Sequence, residues 1–462
     1  MSNINNVREA LKEIPSLDDI LKSFDLKNIP QELFKNRLRQ ILEQLRGNIS
    51  NNNIPKNIKK YIDEKASYEF SKISGNSLRK VINGTGIILN TSLGRAPLSK
   101  SILDSVSDSI YPYCNLEIDL ETNKRGERLN HINPLINSLI GSEKSILVNN
   151  NAAAVMIMLN SLCKNKKVII SRGQQVEIGG SFRIPDIIKS SGCNMVEVGT
   201  TNKTHIKDYA EAIDKDTAAI LYVHTSNYKV VGFTKEVKLI ELSHLCREHK
   251  IPLLCDLGSG AIYNNSNNFI PFEKEVQKYL DDGVDVVTYS GDKLLGGIQT
   301  GIISGKMNLI DKIHKNPIYR TLRCDKYRIC LMENILRTYI TTKNVDEKNM
   351  SIMLFDRTVM QLHQHAENIL TLIKEKSPKH YNINIEQTQV EAGSGSLPTE
   401  KIPSVAISFK SIDISADSIS SKLRSGYIPI LNYIKDDKVY VDLKAIPDEQ
   451  IDALIDVMIK CL

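Results

Sequence analysis

The sequence predicts an α/β protein with a mostly parallel, doubly covered central sheet, a helical domain before it and a small α+β domain after it. Three observations carry that prediction. Short apolar strands alternate with helix-length segments between residues 145 and 304. A stretch of helical periodicity, rich in basic residues, precedes them. Two strand patterns and a helix-start signal follow them near the end of the chain.

At 462 residues the chain can bury a large core and hold more than one domain. Its composition, 41% hydrophobic and 25% charged, excludes wholesale disorder. It has no apolar run of membrane-spanning length and no signal-peptide core, so a cytoplasmic protein with no membrane partner is expected. The eight cysteines are scattered without a C-x-x-C pair, which predicts reduced, mostly buried thiols, and no metal site is expected. His363-Gln364-His365 lacks Cys or acid at ligand spacing and reads as solvated surface. A formal charge of +6 permits a nucleic-acid partner without requiring one.

Residues 1 to about 65 read as a helical module. Ser16-Leu17-Asp18-Asp19 resembles a capping box, followed by Leu17, Ile20, Leu21 and Phe24 at helical spacing. A second helix carries Phe34, Leu38, Ile41, Leu42 and Leu45, and Gly47 can end it. Lys35, Arg37, Arg39 and Arg46 decorate its other faces. Such charges either solvate a helix or meet a polyanion, and the pattern alone leaves both open.

The predicted strands are Ser145–Val148, Val168–Ser171, Met195–Val198, Ala218–Val223, Leu253–Asp256, Val284–Tyr289 and Gly301–Ser304. In such a sheet the ligand sits at the strands' carboxyl ends. Gly84-Thr85-Gly86 lacks the remaining dinucleotide fingerprint. The chemistry is expected at Tyr289-Ser290-Gly291-Asp292-Lys293-Leu294-Leu295-Gly296-Gly297, where burial at a strand end should depress the Lys293 pKa and make a usable amine. One αβ unit upstream, the strand Leu253–Asp256 ends on a carboxylate. Either residue alone reads as a loop lysine or a turn-capping aspartate. Together, with Ser290 able to bind a phosphate, they point to pyridoxal phosphate (PLP): Lys293 for a Schiff base and Asp256 against the pyridinium nitrogen.

Asn149 to Ala154 follows the first strand and opens a helix, so Asn150, Asn151 and Ala152 form the candidate phosphate cradle, against the alternative of an Asn-capped helix without a ligand. The Gly-rich segment Ser171 to Gly180 is expected as a loop near the ring. Arg320 and Arg323 would share one helix face, where like charges repel unless an anion joins them, suggesting an oxyanion site. In the last domain, Ser404–Phe409 and Lys438–Leu443 read as strands, Gly393 to Pro398 as a loop, and Pro447-Asp448-Glu449 as a helix start. The expected domains are 1–65, a cofactor-binding core at 66–379 and a small domain at 380–462.

With these residues assembled, the chain resembles the bacterial selenocysteine synthases, the L-seryl-tRNA(Sec) selenium transferases. The resemblance runs from Ile14-Pro15-Ser16 to the last helix. Its most specific stretches begin at Thr91-Ser92-Leu93-Gly94-Arg95-Ala96, Val148-Asn149-Asn150-Asn151, Val176-Glu177-Ile178, Glu197-Val198-Gly199-Thr200-Thr201-Asn202, His224-Thr225-Ser226-Asn227-Tyr228 and Ser290-Gly291-Asp292-Lys293. It implies a fold-type I PLP enzyme, an N-terminal domain that grips tRNA, and a homodecamer. It also implies that Lys293 is the Schiff-base lysine, Asp256 the pyridinium partner, and Arg95, Arg320 and Arg323 the binders of the selenium donor, selenophosphate. The implied reaction removes water from seryl-tRNA(Sec) to leave an aminoacrylyl group, which then takes up selenium. Lys35, Arg37, Arg39 and Arg46 would face the tRNA.

The chain departs from the family pattern at Asn90-Thr91-Ser92, where His-Thr-Asn is usual, at Tyr433, where an Arg is expected, and at Tyr327-Arg328-Ile329-Cys330. A PLP lyase acting on a small amino acid or amino sugar acid is the alternative enzyme, which would not need the N-terminal module. A catalytically silent RNA-binding scaffold is the alternative of another class, and it should have lost the lysine.

Overall fold

The computed structural model describes residues 2–27, 29–51, 53–178, 182–225, 228, 230–262, 273–341, 345, 348–376, 381–393 and 396–461. Residues 179–180, 226–227 and 394–395, which belong to stretches singled out above, lie outside the described residues. The chain divides into two compact units, Met1–Val81 and Ile82–Leu462.

The first unit is helical: α1 (Ser2–Lys12), α2 (Leu17–Leu21), α3 (Gln31–Ser50) and α4 (Ile58–Ser74). Ser16 caps α2, its hydroxyl accepting from the Asp19 N–H at 3.2 Å and donating to the Asp19 carboxylate at 2.6 Å. α3 buries Phe34, Leu38, Leu42, Leu45 and Ile49 at helical spacing. Gly47 therefore does not end the helix. Ile49, one turn beyond Leu45, is fully buried, and that burial offsets the roughly 1 kcal/mol cost of an interior glycine. Phe24, Phe34 and Phe70 close a trio with centroid separations of 5.1, 4.8 and 5.4 Å. Phe70 lies on α4, as do the buried Ile62 and Ala66, so a boundary near residue 65 would cut a helix that belongs to this core.

The second unit is built on a seven-stranded sheet: β1 (Lys144–Val148), β2 (Lys167–Ser171), β3 (Asn194–Val198), β4 (Thr217–Val223), β5 (Leu253–Gly258), β6 (Val286–Ser290) and β7 (Gly301–Gly305). All seven predicted strands are present, with their ends shifted by one or two residues. The spatial order is β1-β7-β6-β5-β4-β2-β3, and only β7 runs antiparallel to its neighbours. The strands read as continuous apolar runs because helices cover both faces. One of these, α5 (Asn151–Cys163), buries Ala154, Val155, Ile157, Met158, Leu159 and Cys163. No described helix is long and apolar enough to cross a membrane.

The smaller layer is an antiparallel sheet of β8 (Tyr381–Gly393), β9 (Ser396–Ser411), β10 (Tyr433–Lys435) and β11 (Lys438–Asp442), in the order β8-β9-β11-β10. Gly393 pairs with Ser396, so the strands occupy most of the stretch expected as a loop. The pair Ile82–Asn83 runs parallel to Ile430–Leu431, and Thr85 bridges Asp442. The chain thus passes through the small layer before it reaches the large sheet, so the core expected at 66–379 is not continuous in space.

Candidate active site

Six strands of the large sheet share one direction, so their carboxyl ends gather along one edge, and Lys293 lies there, three residues past β6. It is 4% exposed. Burial and then the Arg95 guanidinium lower its pKa to about 8, against the opposing charges of Asp256, Asp292 and Glu273. A usable share of the amine is therefore uncharged near neutral pH. The loop is tightly folded: the Gly296 N–H donates to Lys293 O and the Gly297 N–H to Gly291 O, both at 2.8 Å, and the Leu294 N–H donates to Ser259 O at 3.2 Å. Gly296 has φ +70°, and a side chain there would collide with the Asn349 amide, which itself donates to Leu295 O at 3.1 Å. At Gly291 a side chain would strike the Thr300 hydroxyl.

Asp256 is buried on β5. Its Oδ1 accepts from Asn151 Nδ2 at 2.8 Å and from Thr288 Oγ1 at 3.3 Å. Burial raises its pKa, while the Asn151 bond and the Lys293 charge act to lower it. Asn150 caps α5: its Oδ1 accepts from the Ala153 N–H at 2.9 Å and its carbonyl from the Ala154 N–H at 3.1 Å. That leaves the N–H groups of Asn151 and Ala152, at the positive end of the helix, to meet an anion. Asn150 thus serves the cradle as its cap. Ser290 is buried at the end of β6.

Among the described residues, Asn149 Oδ1, Asn151 Oδ1, Arg95 Nε and His224 Nδ1 are buried without a hydrogen bond, the last lying 3.5 Å from the Glu273 carboxylate. Protein interiors pair such atoms, so orphans around Lys293 and Asp256 suit a polar ligand. A phosphate on the α5 N-terminus, a cationic ring nitrogen on Asp256 and an aldehyde on Lys293 would use the main-chain N–H groups, the carboxylate and the amine gathered here, and the residues fit PLP.

The three arginines part company. Arg95 sits in a left-handed turn, φ +64°, after the short turn Thr91–Leu93, and its N–H donates to Asn90 O at 2.9 Å. Its Nη1 donates to Asp292 Oδ2 at 2.9 Å, beside Lys293. The helix bearing Arg320 spans only Tyr319–Leu322; Arg323 lies beyond it in extended backbone. The shared helix face, and the repulsion inferred from it, are therefore absent. Arg323 bridges Val148 through its backbone and pairs with Glu117 at 3.4 Å, whereas Arg320 is exposed.

In the first unit, Lys35, Arg37, Arg39 and Arg46 all lie on α3. At about 100° per residue, Lys35, Arg39 and Arg46 fall on one flank of the buried stripe and Arg37 on the other. Locally, Lys35 pairs with Glu32 at 3.6 Å, Arg37 donates to Gln40 at 3.3 Å and Arg39 to Asn36 at 2.6 Å.

The sequence profile of the L-seryl-tRNA selenium transferase family matches residues 81–447. The chain belongs to that family. A curated L-seryl-tRNA(Sec) selenium transferase of Alkaliphilus oremlandii is 40% identical, covering 97% of this chain and 98% of its own. One of Clostridium perfringens is 39% identical over 98% of each. Among solved structures, D-glucosaminate-6-phosphate ammonia-lyase superposes with a TM-score of 0.58 at 18% identity, covering 83% of this chain and 96% of that one, a likeness of fold. This selenium transferase family member therefore has the fold-type I architecture that its strand order suggests.

Several residues around the transferase site escape sequence reasoning. Asn349 braces the lysine loop from far along the chain, with no local motif to mark it. Gln174 is buried in the Gly-rich segment, its Oε1 accepting from the Val223 N–H at 3.2 Å and its Nε2 donating to Glu236 at 2.8 Å. Of the departures, Asn90 Oδ1 accepts from the Ser92 N–H at 3.0 Å and so shapes the Arg95 turn, while Tyr433 stacks on Tyr440 at 5.2 Å.

Proposed function

We propose that the protein converts seryl-tRNA(Sec) to selenocysteinyl-tRNA(Sec) with PLP as cofactor and selenophosphate as donor, in the cytoplasm and as a homo-oligomer, a decamer. The observation that carries this reading is the buried Lys293 amine, held near pKa 8 between Asp256 and Arg95 in a chain of this family. Lys293 is the residue to hold PLP covalently, Asp256 to face its ring nitrogen, and Ser290 with the Asn151 and Ala152 N–H groups to hold its phosphate. Bound PLP supplies an electron sink for negative charge at the carbon beside an amino group.

With its lowered pKa, Lys293 can accept the Cα proton of the seryl group and return it at working pH. Arg95, Arg320 and Arg323 offer guanidinium forks to the donor's oxygens. Lys35, Arg37, Arg39 and Arg46 meet tRNA phosphates, and the first unit serves that contact. A lyase of small amino acids has no use for Met1–Val81, yet the curated relatives align over nearly the whole chain.

The test is borohydride reduction of the PLP-loaded protein with peptide mapping, beside an assay with serine-charged tRNA(Sec) and selenophosphate. Label on Lys293 and formation of selenocysteinyl-tRNA are expected. Label on another lysine, or no selenium transfer by unreduced PLP-loaded protein, would overturn the reading. Deleting Met1–Val81 should remove charged-tRNA binding while PLP stays bound.

A further inference from the structure

Val223 pairs with Asp256 across β4 and β5, so His224, one residue on, stands at the same carboxyl edge, and its N–H donates to Asp256 O at 2.9 Å. Its side chain is held on two sides. Nδ1 lies 3.5 Å from Glu273 Oε1, and the ring meets the Tyr279 ring in a T-shaped contact with centroids 6.4 Å apart. Glu273 is buried, and its Oε1 also accepts from Ser259 Oγ at 2.6 Å. The Ser259 carbonyl in turn accepts the Leu294 N–H at 3.2 Å, so this group is tied to the lysine loop. A carboxylate buried as Glu273 is needs a charged partner, and a protonated imidazole is one.

Asp256 has the same need. Burial is the chief influence on its pKa and raises it; against burial, Asn151 and Thr288 act as neutral donors, and Lys293 and His224 act as charges. Neutral donors help a carboxylate without cancelling its charge. The Lys293 amine is committed to PLP in the function proposed above, so His224 is the charge of this set that stays at Asp256 when the cofactor is bound. An ionised Asp256 holds a ring nitrogen by a charge-assisted hydrogen bond, roughly twice as strong as the neutral bond a protonated Asp256 would give.

We propose that His224, braced by Glu273 and Ser259, is a positioning residue for cofactor binding, whose ring supplies the positive charge that keeps Asp256 fit to pair with the PLP ring nitrogen. The inference rests on the assignment of Asp256 to that nitrogen. Glu273 is the carboxylate that pairs with the imidazole, and the Tyr279 contact limits the ring's rotation. His224 acts through Asp256 and touches no reacting atom in this account.

The experiment takes the full chain, freed of cofactor, and titrates it with PLP and with deaza-PLP, which carries C–H in place of the ring nitrogen; bound cofactor is read by absorbance after equilibrium dialysis. The unmodified protein should prefer PLP. His224→Asn keeps a donor near the Nδ1 position and cannot carry charge, so PLP should bind about tenfold more weakly, equivalent to about 1.4 kcal/mol, while deaza-PLP binds as before. Glu273→Gln keeps an acceptor for Ser259 and should show the same selective loss, about threefold. Equal weakening of both cofactors in His224→Asn would make the residue a structural support alone, and unchanged affinity for both would make it idle; either result overturns the proposal. If His224→Asn does not fold, Glu273→Gln decides by the same criterion. No preference for PLP in the unmodified protein would defeat the placement of Asp256, and this inference with it, whereas a preference that persists in full in His224→Asn defeats this inference alone.

Discussion

Lys293 and Lys444 are both buried in the second unit, and burial is the chief cause lowering each pKa to about 8. Their surroundings differ. Lys444 is fully buried, and its Nζ donates to Phe355 O at 3.0 Å and Arg357 O at 2.7 Å. Beside it, the buried Asp442 accepts from the Lys444 N–H at 3.0 Å and from Ser404 Oγ at 2.6 Å. Lys444 is thus a cation that satisfies main-chain carbonyls where no water reaches. Around Lys293 lie a raised-pKa carboxylate, a guanidinium and buried polar atoms without hydrogen bonds. A depressed amine therefore reports burial, and place separates the two: Lys293 lies at the carboxyl edge of the large sheet beside the α5 N-terminus, whereas Lys444 is held by two main-chain carbonyls away from it.

The strongest way to break this comparison is to exchange the consequences of losing each lysine. Lys293→Ala should lower selenium transfer by about a thousandfold or more, because nucleophile and proton acceptor go together, while the thermal transition changes little. Lys444→Ala should still take borohydride label at Lys293. It should, however, unfold at lower urea, with a loss of about 3 kcal/mol, because two buried carbonyls lose their donor. A Lys444→Ala protein of full stability would mean that those bonds contribute nothing.

Titration sharpens the contrast further. The rate of Lys293 labelling by PLP and borohydride should rise with pH through about 8, as the neutral amine forms. Lys444 should take no label below the pH of unfolding. Both lysines release protons at lower pH when folded than when unfolded, where the ordinary value is about 10.4. Between about pH 8 and 10.4 the unfolded chain therefore binds more protons, and the stability of the PLP-free protein should rise with pH across that window. Lys444→Met should flatten that rise, as chemical unfolding at several pH values would reveal. The smallest effect is expected from Arg95→Gln. Removing the second cause of the Lys293 shift should move the labelling midpoint upward and slow labelling at pH 7.5 by a few-fold. A downward move would show that Arg95 does not act on the amine through its charge.

Much of the large sheet was legible because its strands are buried on both faces and read as apolar runs between helical segments. The placement of Lys293, Asp256 and the α5 N-terminus at the carboxyl edge of the sheet was legible for the same reason: each follows or ends such a run, and the fold brings those ends together. Legibility failed where position depends on partners distant in sequence. Arg323 has the spacing of a helix neighbour of Arg320, yet its backbone is drawn into pairing with Val148. Gly47 has the chemistry of a helix end, but Ile49 needs one more turn to reach the core. Tyr381–Gly393 alternates too weakly to stand out, since polar residues of both parities, Glu386, Thr388 and Gln389 among them, line a cleft along it. Lys444 left no local trace, because carbonyls from elsewhere in the chain give it its role.

The parallel pairing of Ile82–Asn83 with Ile430–Leu431, and of Thr85 with Asp442, governs the order in which the enzyme can be assembled. The segment that leads to Arg95 is synthesised long before its strand partners. Closing so long a loop is slow, and the contacts that reward it wait until Ile430, Leu431 and Asp442 have emerged. The large sheet can form while this segment is still unpaired. A nascent chain truncated before Ile430 should therefore acquire the Lys293 pocket and lack a fixed Arg95, gaining the cofactor before it gains full competence.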